Sequence, residues 1–479
     1  MTRQATETML HIKALILFCL SLSINGEDIF RTNGRFTCIR TEEVTLDNEL
    51  RIGCFLPDET ASWGDCMVIT PSGQTLTVAD GSVSDDAGNA VEGVIGSEDV
   101  NACGVTVTSA VEEQLGDWYF VYSQEEVIYK MIITTASVVS DIRLPETFSP
   151  THYNVRLVPD LEYEGSNIKF DGEVTMYLTK LTDTSIITFH ADEITPLGVP
   201  TVHKTLLIGG SEEVQVEEVH FDFLRTFVHL KVKEQDGGIP SDDWVVALSF
   251  TADIARGAYS TYGFYPQICS ETNGNPKKCW FTQFESTNAR NAFPCLDEPA
   301  LKATFNIEVG RTEDYHVRSN MPLQTTVPLS DKPGYVLDIF KQSVVMSPYL
   351  VAIAITDFVS LPSLDNSTTV WAPREDIEAG RGDFSQQIGP ACMQKYAEYF
   401  KVEYPLPKQD LVYEAKKGGA MENYGLVIFA PRTLMLDADA SDDEKWLVIN
   451  VVAHELSHMV CNIILFEFLI FINNCLVVW

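Results

Sequence analysis

Two histidines and a glutamate near the end of the sequence have the spacing of a group that binds a metal ion and moves a proton. The stretch reads His454-Glu455-Leu456-Ser457-His458. Residues four apart on an α-helix lie on the same face, so both imidazoles are able to bind one ion. Glu455 lies on the adjoining strip of that face, where its carboxylate can take a proton from a metal-bound water molecule. We therefore predict metal-binding roles for His454 and His458 and a catalytic role for Glu455.

A stretch upstream offers a carboxylate beside a pair of glycines. It reads Gly418-Gly419-Ala420-Met421-Glu422-Asn423-Tyr424-Gly425. Paired glycines let the backbone approach a ligand closely, and Glu422 places a negative charge next to it. A strand entered through a glycine turn is the alternative interpretation when this stretch is taken alone.

The residues around the two histidines predict a buried helix. Ser441-Asp442-Asp443-Glu444 is typical of a capping box with acidic residues in the first turn, and neither Gly nor Pro occurs from Lys445 to Val460. The apolar residues lie nearly all round this helix: Trp446, Leu447, Val448, Ile449, Val451, Val452, Leu456, Met459 and Val460. Buried histidines need polar partners, which a metal ion supplies most simply and neighbouring side chains supply otherwise.

Most of the sequence before these motifs has the character of β-structure. Residues 28–135 contain short alternating runs, such as 75–78 and 105–108, which predict an all-β sandwich. Residues 141–350 contain runs such as 168–178 and 243–250 between Gly, Pro and Asp, which predict a large twisted sheet. Helical spacing begins at about residue 384, where a helix is predicted over 385–400 and ended by Pro405-Leu406-Pro407.

Length, charge and the N-terminus limit the class of protein. A chain of 479 residues permits two to four domains, and the formal net charge of −35 argues against nucleic acid as a partner. Residues 14–23 form a short apolar run after Arg3 and Lys13, which is typical of a signal peptide cleaved between about Ser23 and Asp28. A signal anchor is the alternative. We expect a protein of the secretory pathway, secreted or at the extracellular cell surface, with some disulfides.

Cys269 and Cys279 enclose a segment rich in turn-forming residues, 270–276. A disulfide across a hairpin is the favoured interpretation, and an exposed loop with two thiols is the alternative.

Cysteines and a tryptophan in the N-terminal third resemble those of immunoglobulin-like modules of secreted proteins. Cys54, Cys66 and Cys103 occur with Gly116-Asp117-Trp118-Tyr119, but Phe120 stands where such a module usually has its second core cysteine. Cys38 is a candidate partner for Cys54, and Cys66 and Cys103 are candidates for each other. Four cysteines allow three pairings, so the sequence leaves the connectivity open.

The HExxH stretch and the Gly419–Asn423 stretch together resemble the M1 (gluzincin) zinc aminopeptidases, whose exopeptidase motif is GAMEN. The resemblance runs in order from about residue 141 to 459 and includes 143–145, Pro150, 152–153, 282–300, 349–352 and 404–410. It implies a saddle-shaped all-β domain followed by the first part of a thermolysin-like α+β catalytic domain. With the N-terminal sandwich, the expected organisation is a signal peptide (1–26), an immunoglobulin-like β-sandwich (27–138), an M1 N-terminal β domain (139–348), a partial catalytic domain (349–460) and a non-family apolar tail (461–479).

The resemblance implies a zinc metalloaminopeptidase that removes N-terminal residues from peptides by metal-activated water, with one zinc ion per complete chain. Glu285 and Glu422 match the positions that bind the free α-ammonium of a peptide, with Gln283 assisting. The backbone of Gly419 and Ala420 would pair with the extended substrate, and Met421 and Asn423 complete the substrate-binding stretch.

The third zinc ligand of the family is a glutamate about 19 positions after His458, which falls on Val477 here. We therefore expect a C-terminally truncated family member that lacks this ligand and has impaired activity. Glu467 is the only carboxylate after the motif, and nine residues of continuous helix would carry it about 13 Å along the axis. The alternative function is a secreted immunoglobulin-like binding protein with an inactive peptidase remnant, whose sandwich module binds a cell-surface or protein partner.

Overall fold

The computed structural model describes residues 142–163, 168–196, 199–205, 210–222, 224–233, 243–254, 262–272 and 275–468, together with strands and a few residues next to them between Ser23 and Thr134. The expected signal peptide and most of the expected apolar tail lie outside these ranges. The described residues are rich in β-structure, with three α-helices at the C-terminal side, which confirms the coarse fold prediction.

The strands occur in chain order as β1 (Ser23–Ile24), β2 (Glu27–Thr32), β3 (Phe36–Thr41), β4 (Leu50–Phe55), β5 (Cys66–Ile69), β6 (Thr75–Ala79), β7 (Ser82–Asp85), β8 (Val94–Gly96), β9 (Ala102–Val107), β10 (Asp117–Gln124) and β11 (Val127–Thr134). They continue as β12 (Phe148–Pro159), β13 (Lys169–Lys180), β14 (Ile186–His190), β15 (Ile194–Pro196), β16 (Thr201–Thr205), β17 (Ser211–Val214), β18 (Val216–Asp222), β19 (Phe227–Val232), β20 (Asp243–Asp253), β21 (Gly263–Thr272) and β22 (Asn275–Gln283). The remaining strands are β23 (Thr304–Thr312), β24 (His316–Ser319), β25 (Leu323–Pro328), β26 (Tyr335–Phe340), β27 (Ile353–Thr356), β28 (Val359–Pro362), β29 (Thr368–Ala372), β30 (Gln409–Tyr413), β31 (Ala420–Met421) and β32 (Leu426–Phe429). The helices are α1 (Arg374–Glu378), α2 (Asp383–Phe400) and α3 (Asp442–Phe468).

The chain divides into two compact units that are each discontinuous in sequence. The first unit comprises Met1–Ser149 and Leu178–Asp253, and the second comprises Pro150–Tyr177 and Ile254–Trp479. These limits differ from the domain boundaries expected above, which stay a prediction.

The first compact unit contains a six-stranded sheet in the order β1-β2-β3-β4-β9-β8 and an eight-stranded sheet in the order β14-β19-β18-β11-β10-β5-β6-β7. Strand β5 alternates buried and partly buried residues because successive side chains of a strand point to opposite faces. A disulfide joins Cys66 to Cys103, which confirms that candidate pair. Cys38 lies opposite Cys54 in the backbone register of β3 and β4, while their side chains lie outside the described part of the chain. The immunoglobulin-like sandwich stays a prediction.

Two sheets of the second compact unit are built around buried aromatic residues. Strand β12 runs parallel to β23, which pairs antiparallel with β26, and β26 pairs with β25. Tyr153 of β12 stacks on Phe305 of β23 with ring centroids 5.0 Å apart. The other sheet has the order β21-β22-β27-β24, and Trp280 and Phe281 of β22 are fully buried. The predicted hairpin disulfide, Cys269–Cys279, joins β21 to β22 and is confirmed.

A third sheet of the second unit has the order β28-β29-β30-β32-β31 and carries the helices. Strands β29, β30 and β32 are parallel, and β28 and β31 are antiparallel edge strands. Helix α2 starts two residues before the predicted position and ends at Phe400, where Lys401 adopts a left-handed backbone with φ of +60°. No helix in the described residues is both long enough and apolar enough to cross a lipid bilayer.

The prediction that α3 is buried nearly all round was wrong for its first turns. Trp446 is 59% exposed and Leu447 is 37% exposed. The buried apolar residues form one stripe at a helical spacing: Val448, Val452, Leu456 and Met459. The helix is therefore covered along one face, as in an amphipathic helix, although its sequence is apolar on other faces too.

Candidate active site

Helix α3 begins at a capping box and carries the predicted metal-binding residues. The backbone N–H of Ser441 donates to Glu444 Oε2 at 2.8 Å, and the backbone N–H of Glu444 donates to Ser441 Oγ at 3.3 Å. These bonds satisfy donors that a helix start otherwise leaves unpaired. The predicted helix start is therefore confirmed, and the helix continues without a break to Phe468.

His454 and His458 lie one turn apart on α3 with their Nε2 atoms 3.1 Å apart. Two zinc–nitrogen bonds of about 2.0–2.1 Å in tetrahedral arrangement place the nitrogens roughly 3.4 Å apart, so the pair fits a single ion. His454 is exposed and His458 is partly buried. Burial lowers the pKa of His458, Glu422 opposes this shift and His454 adds to it.

Glu455 is a buried carboxylate with an unused oxygen. Its side chain is only 5% exposed, and its Oε2 atom has no hydrogen-bond partner among the described residues. Burial and the nearby carboxylates of Glu422 and Glu285 raise the pKa of Glu455 to about 8, while Lys417 opposes the shift. A buried carboxylate with a free oxygen, next to a residue of the metal-binding pair, is placed to act as a general base.

The segment that carries Glu422 is a short hairpin. Strand β31 pairs antiparallel with β32, with Met421 opposite Ile428, and the backbone N–H of Ala430 donates to Gly419 O at 2.7 Å. Met421 is buried and Glu422 is partly buried. The hairpin therefore fixes the backbone on both sides of the Glu422 carboxylate.

The end of this hairpin is held by Asn320, which no motif indicated. Asn320 Nδ2 donates to Tyr424 O at 2.8 Å and to Leu350 O at 2.7 Å. Gly425 has a left-handed φ of +72°, and a Cβ at this position would overlap the carbonyl oxygen of Asn320. Only glycine fits both the backbone conformation and the close approach.

Gln283 and Glu285 lie at the end of β22, beside the hairpin. Gln283 Nε2 donates to Met421 Sδ at 3.4 Å, so the two segments touch. Glu285 is exposed at the surface of the site, and partial burial of its carboxylate and the Glu422 carboxylate raise its pKa, while Lys417 opposes the shift. The structure thus brings the predicted residues of β22, of the hairpin and of α3 to one place.

Lys417 belongs to this site and was missed by the sequence prediction. Its ammonium donates a hydrogen bond to Gln283 Oε1. Burial lowers the pKa of Lys417, and four carboxylates oppose that shift: Glu414, Glu285, Glu455 and Glu422. The one sequence signal that could have indicated Lys417 is its place directly before Gly418, in the segment that carries Glu422.

The donor atoms of the site suit a divalent metal ion only in part. Ligand atoms of Glu422, Glu455 and His458 lie within 4.8 Å of one another. Within the described ranges, no third His, Cys, Asp or Glu has a ligand atom within that distance of both imidazoles. Because α3 is continuous, residue 467 lies about 13 Å along the axis from His458, in agreement with its expected exclusion as a ligand. The position expected for the third ligand, Val477, lies outside the described residues.

The two imidazoles nevertheless fit zinc, because their Nε2 atoms lie 3.1 Å apart and a carboxylate oxygen of Glu455 lies within 4.8 Å of a ring nitrogen of His458. His454 and His458 would hold the ion, and Glu455 would remain free to accept a proton.

Comparison with models of known protein families identifies the family of this chain. The Peptidase M1 N-terminal domain model matches residues 149–350, and the Peptidase family M1 domain model matches residues 384–464. The chain belongs to peptidase family M1. This membership confirms the family resemblance noted from the sequence and agrees with a zinc-binding donor set, since aminopeptidases of the M1 family are generally zinc-dependent.

Relatives of this M1 chain include "Endoplasmic reticulum aminopeptidase 1" of Rattus norvegicus, which is 32% identical over 326 residues, and the protein of the same name from Homo sapiens, which is 34% identical over 325 residues. "Aminopeptidase N" of Canis lupus familiaris is 30% identical over 326 residues. The alignments cover 67%, 66% and 66% of this chain and 33%, 32% and 33% of the respective relatives. The chain thus spans about a third of the length of the curated relatives it matches.

Proposed function

We propose that this chain carries the amine-binding and water-activating residues of a zinc metalloaminopeptidase that removes N-terminal residues from peptides. The observation that carries the proposal is the cluster of Glu422, Glu455 and His458 within 4.8 Å, with Glu285 close enough to raise the pKa of Glu455. A base beside a metal-binding pair supplies the water-activating part of peptide hydrolysis. Additional carboxylates beside that base suit recognition of a free α-ammonium.

The proton transfers are assigned to Glu455. Its buried Oε2 is free to accept a proton from water and to return it to the nitrogen of the leaving amine. Zinc bound by His454 and His458 would supply polarisation of the scissile carbonyl and activation of the water molecule. Glu422 and Glu285 would hold the substrate ammonium, so that the first peptide bond lies next to Glu455.

The backbone of β31 is assigned to substrate alignment. Strand β31 ends the order of its sheet, and no further strand of the described residues pairs with its outer edge. An extended peptide is able to add to such an edge through main-chain hydrogen bonds. Gly419, Ala420 and Met421 would then fix the register of the substrate, while the Asn423 side chain is buried.

The disulfides and the N-terminal sequence support an inferred location in the secretory pathway. Cys66–Cys103 and Cys269–Cys279 are bonds that persist in oxidising compartments. With the signal-peptide pattern of residues 1–26, they support a secreted or cell-surface protein of the secretory pathway. The name of the first relative, "Endoplasmic reticulum aminopeptidase 1", is in keeping with that pathway.

Zinc binding is the first test. Two imidazoles should hold zinc less tightly than three protein ligands would, and the described residues bring no third ligand close to both rings. The purified chain is therefore expected to lose the metal on dialysis and to regain it at excess zinc. Stoichiometry measured by atomic emission should approach one ion per chain at excess zinc, and His458→Ala should abolish this binding. Retention of zinc by His458→Ala would contradict the assignment.

Hydrolysis of leucine 4-nitroanilide at saturating zinc is the second test. We expect slow turnover of leucine 4-nitroanilide. A chelator and the Glu455→Gln substitution should each abolish this turnover, and N-acetyl-leucine 4-nitroanilide should not be cleaved. Glu403→Gln is the matched control, because it makes the same charge change at an exposed position. Equal cleavage of the acetylated compound would rule out recognition of a free N-terminus, and full turnover by Glu455→Gln would rule out its role as the base.

A further inference from the structure

The ammonium of Lys417 lies among the same groups that were assigned to the substrate N-terminus. We propose that Lys417 occupies the amine-binding site as an internal ligand, so that the α-ammonium of a peptide must displace it in order to bind. This inference rests on the proposed function, because it uses the carboxylates of Glu285 and Glu422 as amine-binding groups.

The hydrogen bond from Lys417 to Gln283 Oε1 is the first observation behind the proposal. An α-ammonium and a lysine ammonium are both donors only, with three N–H groups each, and need the same acceptors. The other end of the Gln283 amide already donates to Met421 Sδ at 3.4 Å. The amide is therefore held with its oxygen towards Lys417, and a substrate ammonium would have to compete for that oxygen.

The carboxylates around Lys417 are the second observation. Glu285, Glu422 and Glu455 all act on its charge, and ligand atoms of Glu422 and Glu455 lie within 4.8 Å of one another and of a ring nitrogen of His458. One positive charge inside such a group offsets part of its attraction for a second one. The site should therefore bind free amines less tightly than its acidic residues alone would allow.

The surroundings of Lys417 leave room for it to leave the site. Gly418 and Gly419 follow it, both are exposed, and a Cβ added to either would meet no atom within 4 Å. On the other side, the backbone N–H of Lys417 donates to Glu414 O at 3.2 Å, which fixes the main chain and not the side chain. A four-carbon side chain can rotate away while this bond is kept.

Lys416 provides a matched control in the chain itself. It precedes Lys417, carries the same side chain and is exposed. Replacing either lysine by methionine removes one positive charge from the same segment. A difference between Lys416→Met and Lys417→Met therefore reports the place of the charge and not the change in net charge.

The test is the affinity of the full chain for L-leucine amide, measured by titration calorimetry with a chelator present so that amine binding to metal makes no contribution. We expect Lys417→Met to lower the Kd about tenfold, because it removes a like charge and frees an acceptor. Lys416→Met should match the unmodified chain. N-acetyl-leucine amide, which has no ammonium, should bind to none of the three proteins.

Each other outcome overturns a stated part of the inference. Equal Kd values for the unmodified chain and Lys417→Met, with weaker binding in Glu422→Gln, would remove the role of Lys417 and leave the proposed function intact. Weaker binding in Lys417→Met would make the lysine a supporting contact and overturn the competition. Absence of leucine amide binding in every folded variant would overturn both. Lys417→Gln, shorter and still polar, replaces Lys417→Met if thermal melting shows that the latter does not fold.

Discussion

Replacing Lys408 by methionine should destabilise the second compact unit by about 3 kcal/mol. Lys408 Nζ donates to Ser319 O at 2.7 Å and to Gly425 O at 2.8 Å. It also donates to Asp410 Oδ2 at 2.6 Å. One ammonium thus joins the end of β24, the turn between β31 and β32 and strand β30, and its loss would affect the backbone that positions the site.

The magnitude follows from the burial of the pair. Asp410 has a side chain that is 6% exposed, and its other oxygen accepts a hydrogen bond from Trp371 Nε1 at 2.9 Å. Removing one partner of a buried ion pair costs about 3–5 kcal/mol because the other charge stays unpaired. The Lys408 side chain is 21% exposed, so water reaches part of it, and the lower end of that range applies. Methionine keeps the aliphatic volume, so little of the loss comes from packing.

Urea unfolding followed by circular dichroism measures this loss. Lys416→Met, an exposed lysine of the same unit, is the control for the charge change and should unfold at the concentration seen for the unmodified chain. The double variant Lys408→Met with Asp410→Asn should recover part of the lost free energy, since it leaves no buried charge unpaired. The reasoning is refuted if Lys408→Met lies within about 1 kcal/mol of the unmodified chain, or if the double variant is no more stable than Lys408→Met.

Three further predictions concern other parts of the structure. Gly425→Ala should lower the free energy of unfolding by more than the roughly 1–2 kcal/mol that a left-handed backbone costs, because the added Cβ also overlaps a carbonyl oxygen. Thermal melting measures this loss. Gly334→Ala, at a residue with φ of +87° and open space around it, is the control and should show the backbone cost alone. Replacing Cys269 and Cys279 by alanine should cost about 2–3 kcal/mol in urea unfolding without reductant, and an unchanged midpoint would contradict this. Burial lowers the pKa of His229 from 6.5 to about 4. As the pH falls, His229 is therefore protonated in the unfolded chain at a higher pH than in the folded chain. The stability of the first unit should therefore decrease from about pH 6.5 to about pH 4, by at most about 3 kcal/mol, and His229→Gln should remove that part of the pH dependence.

Features encoded by neighbouring residues were predictable from the sequence. The helix start at Ser441 depends on Glu444 three residues later, and the histidine pair depends on a spacing of four. The Cys269–Cys279 bond joins two residues of one hairpin that are ten positions apart. In each case the chain brings the partners together through its own local geometry, so the residue types and their spacing carry enough information.

Features that depend on packing between distant segments were not predictable. Lys417 meets Gln283 across 134 residues of sequence, and Asn320 meets Tyr424 across 104. Apart from the place of Lys417 directly before Gly418, nothing in the neighbouring residue types distinguishes it from the exposed Lys416. The predicted burial of Trp446 was wrong for a related reason, because periodicity shows which faces of a helix are apolar and not which of them another element covers.

The pairing of β12 with β23 has a consequence for how the protein is made. His152 lies opposite Thr304, so 152 residues must leave the ribosome between the synthesis of the two partners. At about 5–20 residues per second, this interval lasts roughly 8–30 seconds. During that time one edge of β12 lacks its partner strand, and the chain between them, including residues 178–253 of the first compact unit, is completed first. The nascent chain should accordingly depend on chaperones until residue 304 emerges, and a ribosome stalled before that point should display a protease-sensitive β12.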